Sequence, residues 1–305
     1  MKHYLRIFQN KKIYIIISLV LSIMFATSCE RRDIFELPTA KVHIKINWSL
    51  EKQKTEFFYV VVYPIDKSKP IIRDFIESDG GVVAIPQGKY DILIYSFNYE
   101  KIVVNPSNSL LNSVATTNDI NQYFAGMLKS ISTRVLNETD EIFYISKYES
   151  LEIDDIEKDF YIEMTPKNII KKYEIRIMVD NPSSIYSAFA TISGFSGSYL
   201  LGQQRTMNDN VSLLSDVIII DDKIVIPFCT FGLIPFEENN LNLRIKLIND
   251  SILEEQINIT NQIQPMPNGG LIIIDTLLKI PIVTSSGIGA TVGGWTDEEG
   301  VDIIL

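Results

Sequence analysis

The sequence predicts an all-β protein of two tandem antiparallel β-sandwich modules behind an N-terminal export segment. From Lys41 onward apolar and polar residues alternate at period two, the mark of half-buried strands. Short β-branched and aromatic runs then recur through the chain with turn residues between them, as in sandwiches. The pattern breaks at Thr165-Pro166-Lys167-Asn168 and restarts in a second half of similar length. The expected organisation is a signal over residues 1–28, a tether over 29–39, a first sandwich over 40–165 and a second over 166–305 with a Gly-rich tail.

The N-terminus carries Lys2, Arg6, Lys11 and Lys12, then an uncharged, mostly apolar core from Ile13 to Ala26 and the small residues Thr27 and Ser28. These are the parts of a secretory signal peptide. As a helix the core spans only ~21 Å, against ~30 Å of bilayer hydrocarbon. Ala26-Thr27-Ser28-Cys29 resembles the lipobox of bacterial lipoproteins, which implies a diacylglycerol on the Cys29 thiol and a mature chain beginning there. Ala26 stands where a lipobox usually has Leu. Two or three acyl chains make a stable anchor. The tether charges Glu30, Arg31, Arg32 and Asp33 alternate in sign and leave the face of the outer membrane, periplasmic or external, undecided.

Of 305 residues, 277 remain after the signal, with 24 basic and 38 acidic side chains and a net charge of −14. Such a surface repels nucleic acid and anionic membranes, so neither is an expected partner. The mature chain keeps one cysteine besides Cys29, Cys229, and one histidine, His43. With Cys29 acylated, no intramolecular disulfide is available.

In the first half, Val42, Ile44, Ile46 and Trp48 form the apolar phase of a strand, with His43, Lys45 and Asn47 on the other phase. Phe57 to Tyr63 is a second strand, ending at Pro64. Ile71–Ile76 and Val82–Ile85 flank Asp79-Gly80-Gly81, a hairpin signal. Pro86-Gln87-Gly88 then turns the chain into the strand Tyr90 to Phe97. The stretch Val104 to Asn137 differs. Asn118 is placed to cap a helix bearing Ile120, Tyr123, Phe124, Met127 and Leu128 on one face, the alternative being an ordered loop. Strand signals return at Glu141–Ile145 and Phe160–Met164.

In the second half, Tyr173, Ile175, Ile177 and Val179 alternate up to Asn181-Pro182. Ser184 to Gly194 fits a helix or a strand. Val217–Ile220 and Lys223–Phe228 form a hairpin about Asp221-Asp222, and Leu241–Ile248 and Leu253–Ile259 another about Asn249-Asp250. Leu271 to Ile282 is a long apolar run interrupted at Asp275-Thr276. A Gly-rich tail leads to Trp295, which is read equally as exposed or as pinned to the second module, and to Val301-Asp302-Ile303-Ile304-Leu305.

With these parts in place, the chain resembles the fimbrillin-like lipoproteins of Bacteroidota, a group of fimbrial subunits and lipidated anchors. The likeness rests on the signal through Cys29, on Val82 to Asp91, on Met164-Thr165-Pro166-Lys167, on Ile192-Ser193-Gly194-Phe195, and on Gly294-Trp295 with Val301-Asp302-Ile303. It implies transthyretin-like sandwiches and an outer-membrane or fimbrial setting. In that group a subunit donates a strand into a groove opened when a protease cuts after an arginine. Here Arg31 and Arg32 precede the first strand, so cutting there frees the protein without opening a groove, and Arg73 serves only if exposed. An anchor or accessory role fits better than a stalk subunit.

Catalytic readings fare poorly. His43 lies on the wet phase with no second histidine to build a zinc site, so no metal site is expected. Cys229 sits in the apolar Ile226–Phe231 run without a neighbouring base. The paired acids, Asp154-Asp155, Asp221-Asp222, Glu237-Glu238, Glu254-Glu255 and Asp297-Glu298-Glu299, fall at turns and strand ends. Asn208-Asp209-Asn210 lacks the spacing of a calcium loop. No cofactor is expected beyond the lipid on Cys29. Asp250-Ser251-Ile252 and Asp275-Thr276-Leu277 resemble a Bacteroidota O-glycosylation sequon, which implies Ser251 and Thr276 as acceptors, the turn residue Ser251 before Thr276.

The reading is therefore a non-enzymatic outer-membrane lipoprotein acting in adhesion or fimbrial anchoring through β-strand contacts. Val301, Ile303 and Leu305 form a terminal strand that closes its own module or is donated to a fimbrial subunit. The alternative is a surface glycan-binding lipoprotein for nutrient uptake, which expects exposed aromatics grouped on one face.

Overall fold

β-Branched and aromatic side chains suit a pleated, half-buried surface, and strands dominate the chain as the composition leads one to expect. The computed structural model describes residues 37–97, 100–120 and 134–283. The first half contributes β1 (Thr39–Ile46), β2 (Phe57–Pro64), β3 (Ile72–Glu77), β4 (Gly80–Pro86), β5 (Gly88–Ser96), β6 (Ile102–Asn105), β7 (Val114–Thr117), β8 (Arg134–Asn137), β9 (Tyr144–Ile153) and β10 (Asp159–Met164). After the break come β11 (Lys167–Asn168), β12 (Lys171–Val179), β13 (Ile185–Ser196), β14 (Ser198–Leu200), β15 (Arg205–Thr206) and β16 (Asn210–Asp216). The last are β17 (Ile218–Ile220), β18 (Lys223–Thr230), β19 (Asn240–Leu247), β20 (Ile252–Asn258) and β21 (Gly269–Leu278). Thr39 onward forms one unit.

β1 shows how the alternation works: Ala40, Val42, Ile44 and Ile46 are all buried, while Lys41 and Lys45 face water. It belongs to an eight-stranded sheet of order β10-β1-β4-β3-β2-β5-β9-β11. Residues from seven of these strands, among them Val42, Val60, Ile85, Ile94, Leu151 and Ile162, line a single core. β9 and β10, near opposite ends of the strand order, touch, so the sheet curls over its own apolar face. Gly80 permits the tight passage from β3 to β4. Its φ is +125°, and a Cβ there would lie 2.0 Å from the Ile44 carbonyl oxygen.

The second half packs two sheets face to face, β17-β18-β12-β21 against β20-β19-β13-β16-β8. Ile175, Ile177, Ile226 and Ile272 from one sheet meet Ile192, Leu213, Leu243 and Ile245 from the other. Most ladders are antiparallel. Among the described residues three, β1–β10, β12–β21 and β16–β8, are parallel.

A third core joins the halves. β2 and β5 bury both faces through most of their length, which is why they read as unbroken apolar runs rather than alternations. Their outward Val61, Tyr63, Leu93 and Tyr95 pack with Ala115, Ile170, Leu201 and Phe231. The cover is a four-stranded sheet, β15-β14-β7-β6, in which β7 and β14 pair across the break between halves. β8 likewise pairs with β16.

Of Ser184–Gly194, Ile185 onward resolves as strand, within β13, and Ser184 ends the 3-10 turn before it. The hairpin about Asp221-Asp222 forms as read, Ile220 opposite Lys223, and so does the pair β19–β20. The turn before Gly80 differs from expectation: only Glu77 and Gly80 pair across it, because β4 leaves to run along β1. Val104–Asn137 holds strands β7 and β8, with Asn118 donating from its backbone N–H to the Lys101 carbonyl and from Nδ2 to the Glu100 carbonyl. The remainder of the expected helix lies outside the described residues, as do Cys29, Trp295, Val301, Ile303 and Leu305.

Candidate interaction surfaces

Two features of the sheets stand out. β21 lies at an end of its four-stranded sheet, with β12 on one side and, among the described residues, no strand on the other. Ile272 and Ile274 point into the core beside Ile175 and Ile177. Leu271, Ile273 and Leu277 point out, 43%, 57% and 49% exposed. An edge strand that is apolar on both faces is a template for adding another strand. The outward face continues across Arg176, which pairs with Glu174, to Val225 and Ile218.

The second feature is on the eight-stranded sheet. The outward side of β2 and β5 is roofed by the small sheet over Val61, Tyr63 and Leu93. The roof ends at Tyr59, which is half-buried against that core, and beyond it Phe57, Phe75 and Phe97 are 42%, 51% and 44% exposed. Register assembles them: Tyr59 lies opposite both Phe75 and Tyr95. Tyr59 and Phe75 meet edge-to-face with centroids 4.7 Å apart, and Phe75 and Phe97 likewise at 5.2 Å. At one end, Phe57 joins Glu56, Glu77, Ser78 and Asp79 around an open cleft of about 320 Å³. Lys54 pairs with Asp79 at 2.8 Å. At the other end, exposed Arg73 lies opposite Val61, inside the β2–β3 ladder rather than in a loop.

The residues singled out from the sequence are dispersed. His43 faces outward, hydrogen-bonds Asp159 through Nε2 at 2.9 Å and stacks on Tyr161. Trp48 packs on Phe58 and Tyr144 and donates to the Ser78 carbonyl. Cys229 is buried, and burial first, then the Glu138 carboxylate, pushes its thiol from 9.0 to about 11. Its backbone N–H donates to Glu138, which also holds Lys101. Asp209 is a structural acceptor for the hydroxyls of Ser196 and Ser198. Ser251 and Thr276 are both exposed, Ser251 in a turn donating to Asn249 and Thr276 on β21. Among the described residues no cluster of His, Cys, Asp or Glu is built to hold a metal ion, and no helix is long and apolar enough to cross a membrane. The aromatic face escaped sequence reasoning because its members come from β2, β3 and the residue after β5, whose register had to be known.

Among the described residues, the strands thus leave an apolar sheet edge and an exposed aromatic face. The chain belongs to the family described as a domain of unknown function, DUF5119, which matches residues 28–216. It is 24% identical over 215 residues to a Bacteroides ovatus protein named as a candidate fimbrium anchoring subunit, Fim4B. That match takes in 70% of this chain and 63% of the relative, so the chain spans less than two thirds of the relative's length. The fold is similar to that of a candidate adhesin from Bacteroides ovatus, at TM-score 0.67 and 20% identity, covering 84% of this chain and 98% of that one. It is also similar to the fimbrial anchor protein Mfa2 from Porphyromonas gingivalis, at TM-score 0.52 and 11% identity, covering 77% and 90%.

Proposed function

We propose that this chain is a non-enzymatic, lipid-anchored protein of the outer membrane that anchors or assembles fimbriae by pairing strands with fimbrial subunits. The relatives' roles as named, a fimbrium anchoring subunit and a fimbrial anchor, support the setting. The observation that carries the mechanism is β21, an edge strand with Leu271 and Ile273 outside and Ile272 and Ile274 inside. Backbone pairing there supplies affinity, and the alternate side chains supply register. In this reading Cys29 holds the lipid, and Val301, Ile303 and Leu305 form a strand that closes the chain's own sheet or is donated.

Hydrogen–deuterium exchange with added fimbrial subunit tests it. The proposal expects the amides of β21 to slow on mixing; unchanged exchange along β21 with subunit bound elsewhere would refute it. Deleting residues 301–305 separates the two roles of the terminus, since a donated strand is required for subunit binding and a self-closing one is not.

The glycan-binding alternative finds grouped aromatics in Phe57, Phe75 and Phe97. Their edge-to-face packing, with interplanar angles of 73° and 79° along Tyr59–Phe75–Phe97, does not make the flat platform on which a sugar ring stacks.

A further inference from the structure

The exposed aromatic face of the eight-stranded sheet is independent of the β21 edge and has its own polarity. Phe75 sits at its centre, with Tyr59 and Phe97 edge-to-face on it. Along β3 the outward residues are Arg73, Phe75 and Glu77, so charge changes sign across the patch. The cleft end gathers Glu56, Glu77 and Asp79, and Lys54 is spent on Asp79. Glu56 and Glu77 thus remain beside the Phe57 ring, a setting in which a cation meets two carboxylates and an aromatic face.

We propose that this face docks a segment of a partner protein that places an apolar side chain on Phe75 and Phe97 and a lysine or arginine in the cleft formed by Glu56, Phe57 and Glu77. Charge decides the occupant. A second copy of this chain brings a mature net charge of −14 against an acidic rim, which like-charge repulsion disfavours. A neutral saccharide finds no flat platform on these edge-to-face rings. A basic, apolar segment satisfies both ends of the patch, and Arg73 at the far end sets its direction by repelling a second cation.

The test is site-specific photocrosslinking of the full-length lipoprotein in its native cells, with benzoylphenylalanine at position 75 and, as control, at Tyr186, which is 70% exposed on β13. The crosslinked segment is identified by mass spectrometry. The proposal expects adducts at position 75 and not at 186, on a segment with an apolar residue and a Lys or Arg within about four positions. It expects Glu56→Lys with Glu77→Lys to cut the yield about tenfold, the effect of roughly 1.4 kcal/mol, while circular dichroism stays that of the wild type. Adducts to a second copy, to a glycan or to an acidic segment would overturn it. So would unchanged yield in the charge-reversed variant, or no adduct at position 75 when an established crosslinking pair in the same cells reacts.

Discussion

The hydroxyls of Tyr63 and Ser113 lie 2.7 Å apart in the buried core that joins the two halves. Ser113 also donates to the Ser109 carbonyl and accepts from the Ser107 N–H, which leaves Tyr63 as the donor to Ser113. One bond thus fixes β2 to the loop before β7. Burial raises the Tyr63 phenol above its ordinary 10.0.

Removing either partner has unequal cost. Tyr63→Phe deletes a donor and leaves Ser113 with its other partners, for about 1 kcal/mol. Ser113→Ala strands the buried phenol, for roughly 1–3 kcal/mol. Urea unfolding of both variants and the double mutant measures the difference, and a larger loss in Tyr63→Phe contradicts the assigned donor.

Gly80 and Gly232 separate two effects of positive φ. An Ala Cβ at position 80 meets the Ile44 carbonyl oxygen at 2.0 Å, whereas at position 232 it meets only the Thr206 methyl, at 3.3 Å. Gly232→Ala then costs the backbone strain alone, about 1–3 kcal/mol, and Gly80→Ala costs more because β1 must also move. Thermal unfolding ranks them.

Alkaline stability follows from three groups, Cys229 and Tyr173, which are buried, and Tyr199, which is partly buried. Burial lifts Cys229 from 9.0 to about 11, and Tyr173 and Tyr199 from 10.0 to about 12. The unfolded chain releases these protons first, so stability falls as pH rises from about 9 towards 12. Cys229→Ala removes the part of that fall between about 9 and 11. Denaturant midpoints at pH 8 and 10 check it, and the native thiol resists iodoacetamide at pH 8.

Asp209 binds the hydroxyls of Ser196, only 1% exposed, and Ser198, 8% exposed. Asp209→Ala leaves the Ser198 hydroxyl without its acceptor, while Ser196 keeps the Ser198 carbonyl, and destabilises by roughly 1–3 kcal/mol. Its oxygens are already engaged, so millimolar calcium leaves the melting temperature of the wild type unchanged.

Much of the fold is legible wherever structure is local. Val42, Ile44 and Ile46 announce β1 by alternation, and Asp221-Asp222 announces β17–β18 because the partners are adjacent in sequence. The unbroken run Phe57–Tyr63 also marks a strand covered on both faces, yet what covers it is non-local: Ala115, Leu201 and Phe231 arrive from three separate segments. β7 and β14 are only four and three residues long, too short for periodicity to register. The parallel ladder of His43 with Tyr161 joins residues far apart in the chain, and no local pattern encodes it. The aromatic face is illegible for the same reason, since Phe57, Phe75 and Phe97 become neighbours only when β3, β2 and β5 are in register.

The most direct test of strand-mediated anchoring is retention of fimbriae on cells carrying Leu271→Lys with Ile273→Lys. Both side chains are exposed, so the variant folds and reaches the envelope, while lysines on the β21 edge oppose an added strand. Quantifying fimbrial protein on cells and in the medium gives the readout. The account predicts that fimbriae are shed into the medium while the variant stays in the membrane fraction at wild-type amount. Fimbriae held on the cells at wild-type level would contradict it.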